Sequence, residues 1–104
     1  MNKKYFLTIG SGTFYSSSDE DLFFEWIKKI PFITHCKGVG TNLFLYFKNK
    51  RIKAQDLREL IALFHRYKIN MTELAIFLNK QNKKWFFDNK HAYWHKKVFG
   101  LSKK

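Results

Sequence analysis

The chain has 104 residues, 45% of them hydrophobic and 19% aromatic, and twenty Lys and Arg against eight Asp and Glu give a net charge of +12. That length holds one domain, because two halves would each bury too small a core, and the hydrophobic content excludes a disordered chain. The single cysteine, Cys36, excludes an intramolecular disulfide, and no apolar run approaches the roughly 20 residues of a membrane span.

Residues 4–9, "KYFLTI", read as a short strand ended by "GSG". The apolar part is too short for the hydrophobic region of a signal peptide, so a cytoplasmic protein with no membrane contact is expected. A helix follows. Ser18 is placed to cap it, Asp19, Glu20 and Asp21 occupy its positive first turn, and Pro31 stops it. Leu22, Phe23, Trp26, Ile27 and Ile30 form its predicted apolar stripe. Residues 32–47 then predict two strands joined by a glycine turn. In the second strand Leu43, Leu45 and Phe47 face one side and Phe44 and Tyr46 the other, which marks it as central in the sheet.

A second helix is predicted over 54–67, burying Leu57, Leu60, Ile61, Phe64 and Tyr67, with Lys53 at the cap position. Ile52 and Leu57 are spaced for a hydrophobic staple around that cap. A third helix starts after Asn70, which has capping-box spacing to Glu73. Met71, Leu74, Ala75, Phe77 and Leu78 form its apolar side. Residues 82–99 predict a further short helix capped by Asp88. The order predicts an α+β fold over residues 1–104: a single small domain with a three- or four-stranded, mainly antiparallel sheet and three or four helices packed on one face. Residues 101–104 read as a frayed basic tail.

No constellation carries catalysis. His35 and Cys36 are adjacent in a strand and point to opposite faces, and a pairing of Cys36 with His65, His91 or His95 has no sequence signal. His91 and His95 share a helix face but supply two ligands where a zinc site takes three or four, so neither metal nor cofactor is expected. "GSG" and "GVG" lack the continuation of a phosphate loop and read as turns. Asp19, Glu20, Asp21 and Glu25 cluster at one helix start, whereas acid–base pairs come from elements facing a common cleft. "LFHRYKINMTELAIFL" has the outline of a helix–turn–helix, yet Lys68 stands where that turn usually holds Gly. Thr72, Glu73, Ile76 and Asn79 are also a poor set for reading bases.

The stretch "NKKWFFDNKHAYWHKK" (82–97) is the strongest surface signal. Residues 80–104 carry eight Lys and one acidic residue, while twelve basic and seven acidic residues fall in 1–79. About half of its rings are expected to seal the core and the rest to lie at a lysine-lined rim. Such a rim suits a protein interface anchored by Trp and Tyr, or stacked single-stranded nucleic acid. Seventeen of the twenty basic residues are Lys, which favours electrostatic steering over bidentate reading of phosphate or guanine.

"DLRELIALFHRYKINMTELAIFLN" with "NKKWFFDNKHAYWHKKVFG", residues 56–100, resembles small single-domain bacterial immunity proteins. These are encoded beside a secreted or contact-delivered toxin, as in contact-dependent inhibition systems, and neutralise it by direct binding. At +12 the chain departs from the acidic character of many such proteins. The resemblance implies a cytoplasmic, non-catalytic domain in a tight complex with its toxin. From the lack of a catalytic constellation and the aromatic–lysine rim, the expectation is a non-enzymatic binding protein for a protein partner with an acidic surface, with a toxin that it inhibits as the foremost candidate. Lys83, Lys84, Trp85, Tyr93, Trp94, His95, Lys96 and Lys97 are its candidate contacts. The alternative is a basic nucleic-acid-binding module using the same residues.

Overall fold

The computed structural model describes residues 5–10, 14–40 and 42–100. Its sheet has three antiparallel strands in the order β1-β3-β2: β1 is Phe6–Ile9, β2 Ile33–Val39 and β3 Asn42–Phe47. The middle strand is the one that the two-sided apolar pattern of 43–47 marked as central. Leu7 pairs with Leu45 and Ile9 with Leu43, so the pleat sends Leu7, Ile9, Leu45 and Phe47 into the core together. Phe6, Thr8, Phe44 and Tyr46 alternate with them on the outer face and stay half-buried. A register irregularity between Ile33 and His35 re-aims β2, and His35 then stacks on Tyr46 with ring centroids 4.5 Å apart. Gly40 makes the β2–β3 turn with φ at 61, a conformation that a side chain disfavours.

Helix α1, Ser17–Lys28, starts earlier than the sequence suggested: the cap is Ser16, not Ser18. The Asp19 amide donates to Ser16 Oγ at 3.1 Å, and Asp19 Oδ2 accepts from the Tyr15 amide at 3.1 Å. This near-reciprocal pair satisfies two amides at the helix start, which selects that residue over its neighbouring serines. Phe23 and Ile27 are buried, but Leu22 is 63% exposed and Trp26 only half-buried, so the predicted stripe is narrower than five residues. Helix α2, Ala54–Arg66, follows the prediction closely and buries Leu57, Leu60, Ile61, Leu63 and Phe64. Lys53 occupies its N-cap without a side-chain hydrogen bond.

Helix α2 ends in a Schellman motif. The Ile69 amide donates to the Phe64 carbonyl at 2.8 Å and the Lys68 amide to the His65 carbonyl at 3.2 Å. That closure requires a left-handed residue, and Lys68 supplies it with φ at 57. The expected third α-helix is instead a 3₁₀ helix, Thr72–Phe77. Met71, Leu74 and Phe77 are buried, and their spacing of three matches a 3₁₀ repeat, where they eclipse on one side. Asn70 Oδ1 accepts from both the amide and the hydroxyl of Thr72. The N-cap is Met71, not Asn70, and Glu73 Oε1 accepts the Thr8 amide at 2.7 Å and so covers the open edge of β1.

In place of the one short helix expected within 82–99 there are two, α3 (Lys83–Phe86) and α4 (His95–Phe99), joined by turns, and α4 has Trp94, not Asp88, at its N-cap. Asn82 fixes the entry to α3. Its side chain is buried, its Oδ1 accepts the Asn79 amide, its Nδ2 donates to the Phe77 carbonyl, and its own amide donates to Asn79 Oδ1. Phe86 is wholly buried with Trp94 and Val98 in the same core as the strands and α2. The basic tail 101–104 lies outside the described residues.

Candidate functional site

The C-terminal segment divides into buried and displayed residues. Trp94, 8% exposed, packs against Phe86 at 5.6 Å between centroids, and Phe86 meets Phe99 at 5.0 Å. His95 is also buried, and its Nε2–H donates to the Phe87 carbonyl at 2.7 Å. Both residues were expected at a contact surface and neither is on one. The cause is the break of the 82–99 segment into two turns, which folds Trp94 and His95 inward to close the core beneath α3. That break also separates His91, which is exposed in the intervening turn, from the helix bearing His95.

The displayed residues form two patches on either end of one α2 face. At one end Trp85 is half-buried with the Arg58 guanidinium carbon 4.3 Å from its ring centroid, a cation–π contact worth about 0.5–1 kcal/mol at an exposed site. Lys84 beside it is exposed. Lys83 reaches back to Asp88 at 3.0 Å, an exposed ion pair that contributes about 0–1 kcal/mol. At the other end Tyr93 is 58% exposed and meets His65 edge to face at 4.6 Å. Lys97 Nζ lies 3.3 Å from His65 Nδ1, and Lys96 is exposed. Arg58 and His65 are seven residues apart on α2, hence on one side of it and about 10 Å apart along the axis.

No family model, curated protein or solved structure matches the chain. The reading of this surface therefore rests on its own geometry.

Beyond Tyr93 the surface continues across the end of α2 to α1. Trp26, Ala62, His65, Arg66 and Tyr93 line a shallow depression. Next to it, a groove of about 520 Å³ runs between α1 and the turn after α2. Trp26 is held in place by its indole N–H, which donates to Glu59 Oε1 at 2.8 Å. Tyr67 closes the groove floor, with its phenol pushed above the ordinary range first by burial and then by the Asp19 charge. Its hydroxyl donates to the Asp19 carbonyl at 3.5 Å.

Tyr15, Arg58, His65 and Arg66, which no motif marks, are exposed here, and so is Leu22, which was expected in the buried stripe. Their signal was present in part as spacing: 19, 22 and 26 recur at helical intervals along α1, just after Tyr15, and 58, 62 and 65 recur on one side of α2. Among the described residues no three His, Cys, Asp or Glu side chains gather as metal ligands. No helix among them is long and apolar enough to cross a membrane. Cys36 is half-buried in β2 opposite Leu45, and Glu25 pairs with Lys28 at 3.7 Å on the open side of α1.

Proposed function

We propose that this chain acts by binding, without catalysis, another protein with an acidic surface, in the manner of an immunity protein that neutralises a toxin. The observation that carries the reading is a pair of exposed cationic patches with aromatic anchors along one side of α2. Arg58, Lys84, Lys96 and Lys97 surround Trp85 and Tyr93, and the buried Phe86–Trp94–Phe99 packing fixes the backbone that presents them. Fixed aromatics lose little freedom on docking, and lysines speed encounter with an opposite charge. The toxin as partner comes from the resemblance of residues 56–100 to immunity proteins.

The outer face of the sheet favours a second reading. Phe6 contacts Phe44 and Tyr46, His35 stacks on Tyr46, and Lys37 stands opposite Phe44. An aromatic strand face with neighbouring lysines is how single-stranded nucleic acids are stacked.

Capture by the tagged chain at low and high salt, with and without nuclease, tests the two. The expected result is one acidic protein that survives high salt and nuclease and reconstitutes a complex from purified components. Recovery of RNA or DNA at low salt alone, lost log-linearly as salt rises, overturns the protein-binding reading.

A further inference from the structure

Helix α1 and the residue just before its cap carry a row of side chains beside the buried Phe23 and Ile27, of which only Trp26 packs against the core. Tyr15, Asp19, Leu22 and Trp26 recur at helical spacing and line the 520 Å³ groove together with Arg66 and Lys68 from the end of α2. Tyr15 is 82% and Leu22 63% exposed, so two large side chains stand uncovered at one opening. Arg66 and Lys68 flank them and form no ion pair among the described residues. Lys68 is also the residue forced into left-handed backbone, at φ 57, where glycine fits without strain. The left-handed turn at Lys68 thus sets a cation beside the open groove.

We propose that this groove is the anchor site for a segment of the partner that carries an aliphatic or aromatic residue flanked by carboxylates. The proposal rests on the acidic-protein reading above and locates it. The apolar residue seats against Leu22, Tyr15 and the Trp26 ring, and the carboxylates meet Arg66 and Lys68. Charge complementarity selects this occupant. A second copy of the chain brings +12 to a cationic opening and is repelled.

The test is an amide-resolved NMR titration of the full chain with a synthetic peptide holding Leu-Phe between glutamates. A glutamine-substituted peptide and oligo-dT serve as controls. The expected result is perturbation confined to residues 15–26 and 65–68, weakened about threefold or more by Arg66→Glu or the glutamine peptide, and abolished by Leu22→Asp. Leu22 and Arg66 are exposed, so circular dichroism of both variants should match the parent. Perturbation centred on 83–97, or none at peptide excess, overturns the groove while the partner-capture experiment decides the broader reading. Perturbation by oligo-dT and not by the peptide overturns both.

Discussion

Lys68 offers the sharpest test of the local physics. In the Schellman closure of α2 it holds φ at 57 with both capping hydrogen bonds made. A residue with a Cβ pays about 1–2 kcal/mol there, of which glycine's greater freedom in the unfolded chain would return about 0.5–1. Lys68→Gly is therefore expected to stabilise the domain by about 0.5–1 kcal/mol, a rise of about 2–8 °C in Tm for this size. Lys68→Ala keeps the Cβ and should leave stability within about 0.5 kcal/mol of the parent. Urea unfolding followed by tryptophan fluorescence reads both, with an unchanged slope showing that the folded and unfolded surfaces are preserved. A midpoint that is unchanged or lowered by glycine, or raised equally by alanine, would refute the left-handed closure. The same substitution removes a groove cation, so gain in stability and loss of acidic-peptide affinity should appear in one variant.

Three other outcomes follow from particular contacts. Asn82→Ala strips partners from the Phe77 carbonyl and the Asn79 amide in a buried position, and the urea midpoint should fall by the equivalent of about 1–3 kcal/mol; no change would mean that the Asn79–Asn82 pairing does not hold the turn. Trp94→Ala should cost about 3–5 kcal/mol, whereas Lys84→Glu should keep stability within about 0.5 kcal/mol and slow association with an acidic partner. Equal stability of these two variants in thermal melts would contradict the division into buried and displayed residues. Tyr67 is held above its ordinary value by burial and then by Asp19, so the fold favours its neutral form. That contribution is complete below pH about 10 and is lost as pH rises through the folded value. Alkaline titration of tyrosinate absorbance should show a late component that Tyr67→Phe removes.

Much of the fold was legible because its signals are local. Alternation in 43–47 named the central strand, the apolar spacing of 57–64 and the cap position at 53 bounded α2, and Pro31 ended the first helical segment. The 3₁₀ segment defeated the same approach, since Met71, Leu74 and Phe77 fit two periods and Asn70 and Glu73 mimic a capping box. Glu73 chose the β1 amide instead, a partner 65 residues away. The candidate surface was half legible: Lys84, Trp85, Tyr93, Lys96 and Lys97 came from composition, while Arg58, His65 and the α1 groove needed neighbours brought together from separate elements.

Sequence alone determined the strands, the first two helices, the central strand and the excess of positive charge, because each depends on spacing or composition within a few residues. Tertiary structure decided which rings of 82–99 are displayed, because Trp85, Trp94 and Tyr93 have the same local character. Only the space left between α2, the 3₁₀ segment and α4 determines that Trp94 goes inside while Tyr93 lies against His65 at the surface. Burial is a competition for a finite volume, and that volume is set by residues far apart in the chain.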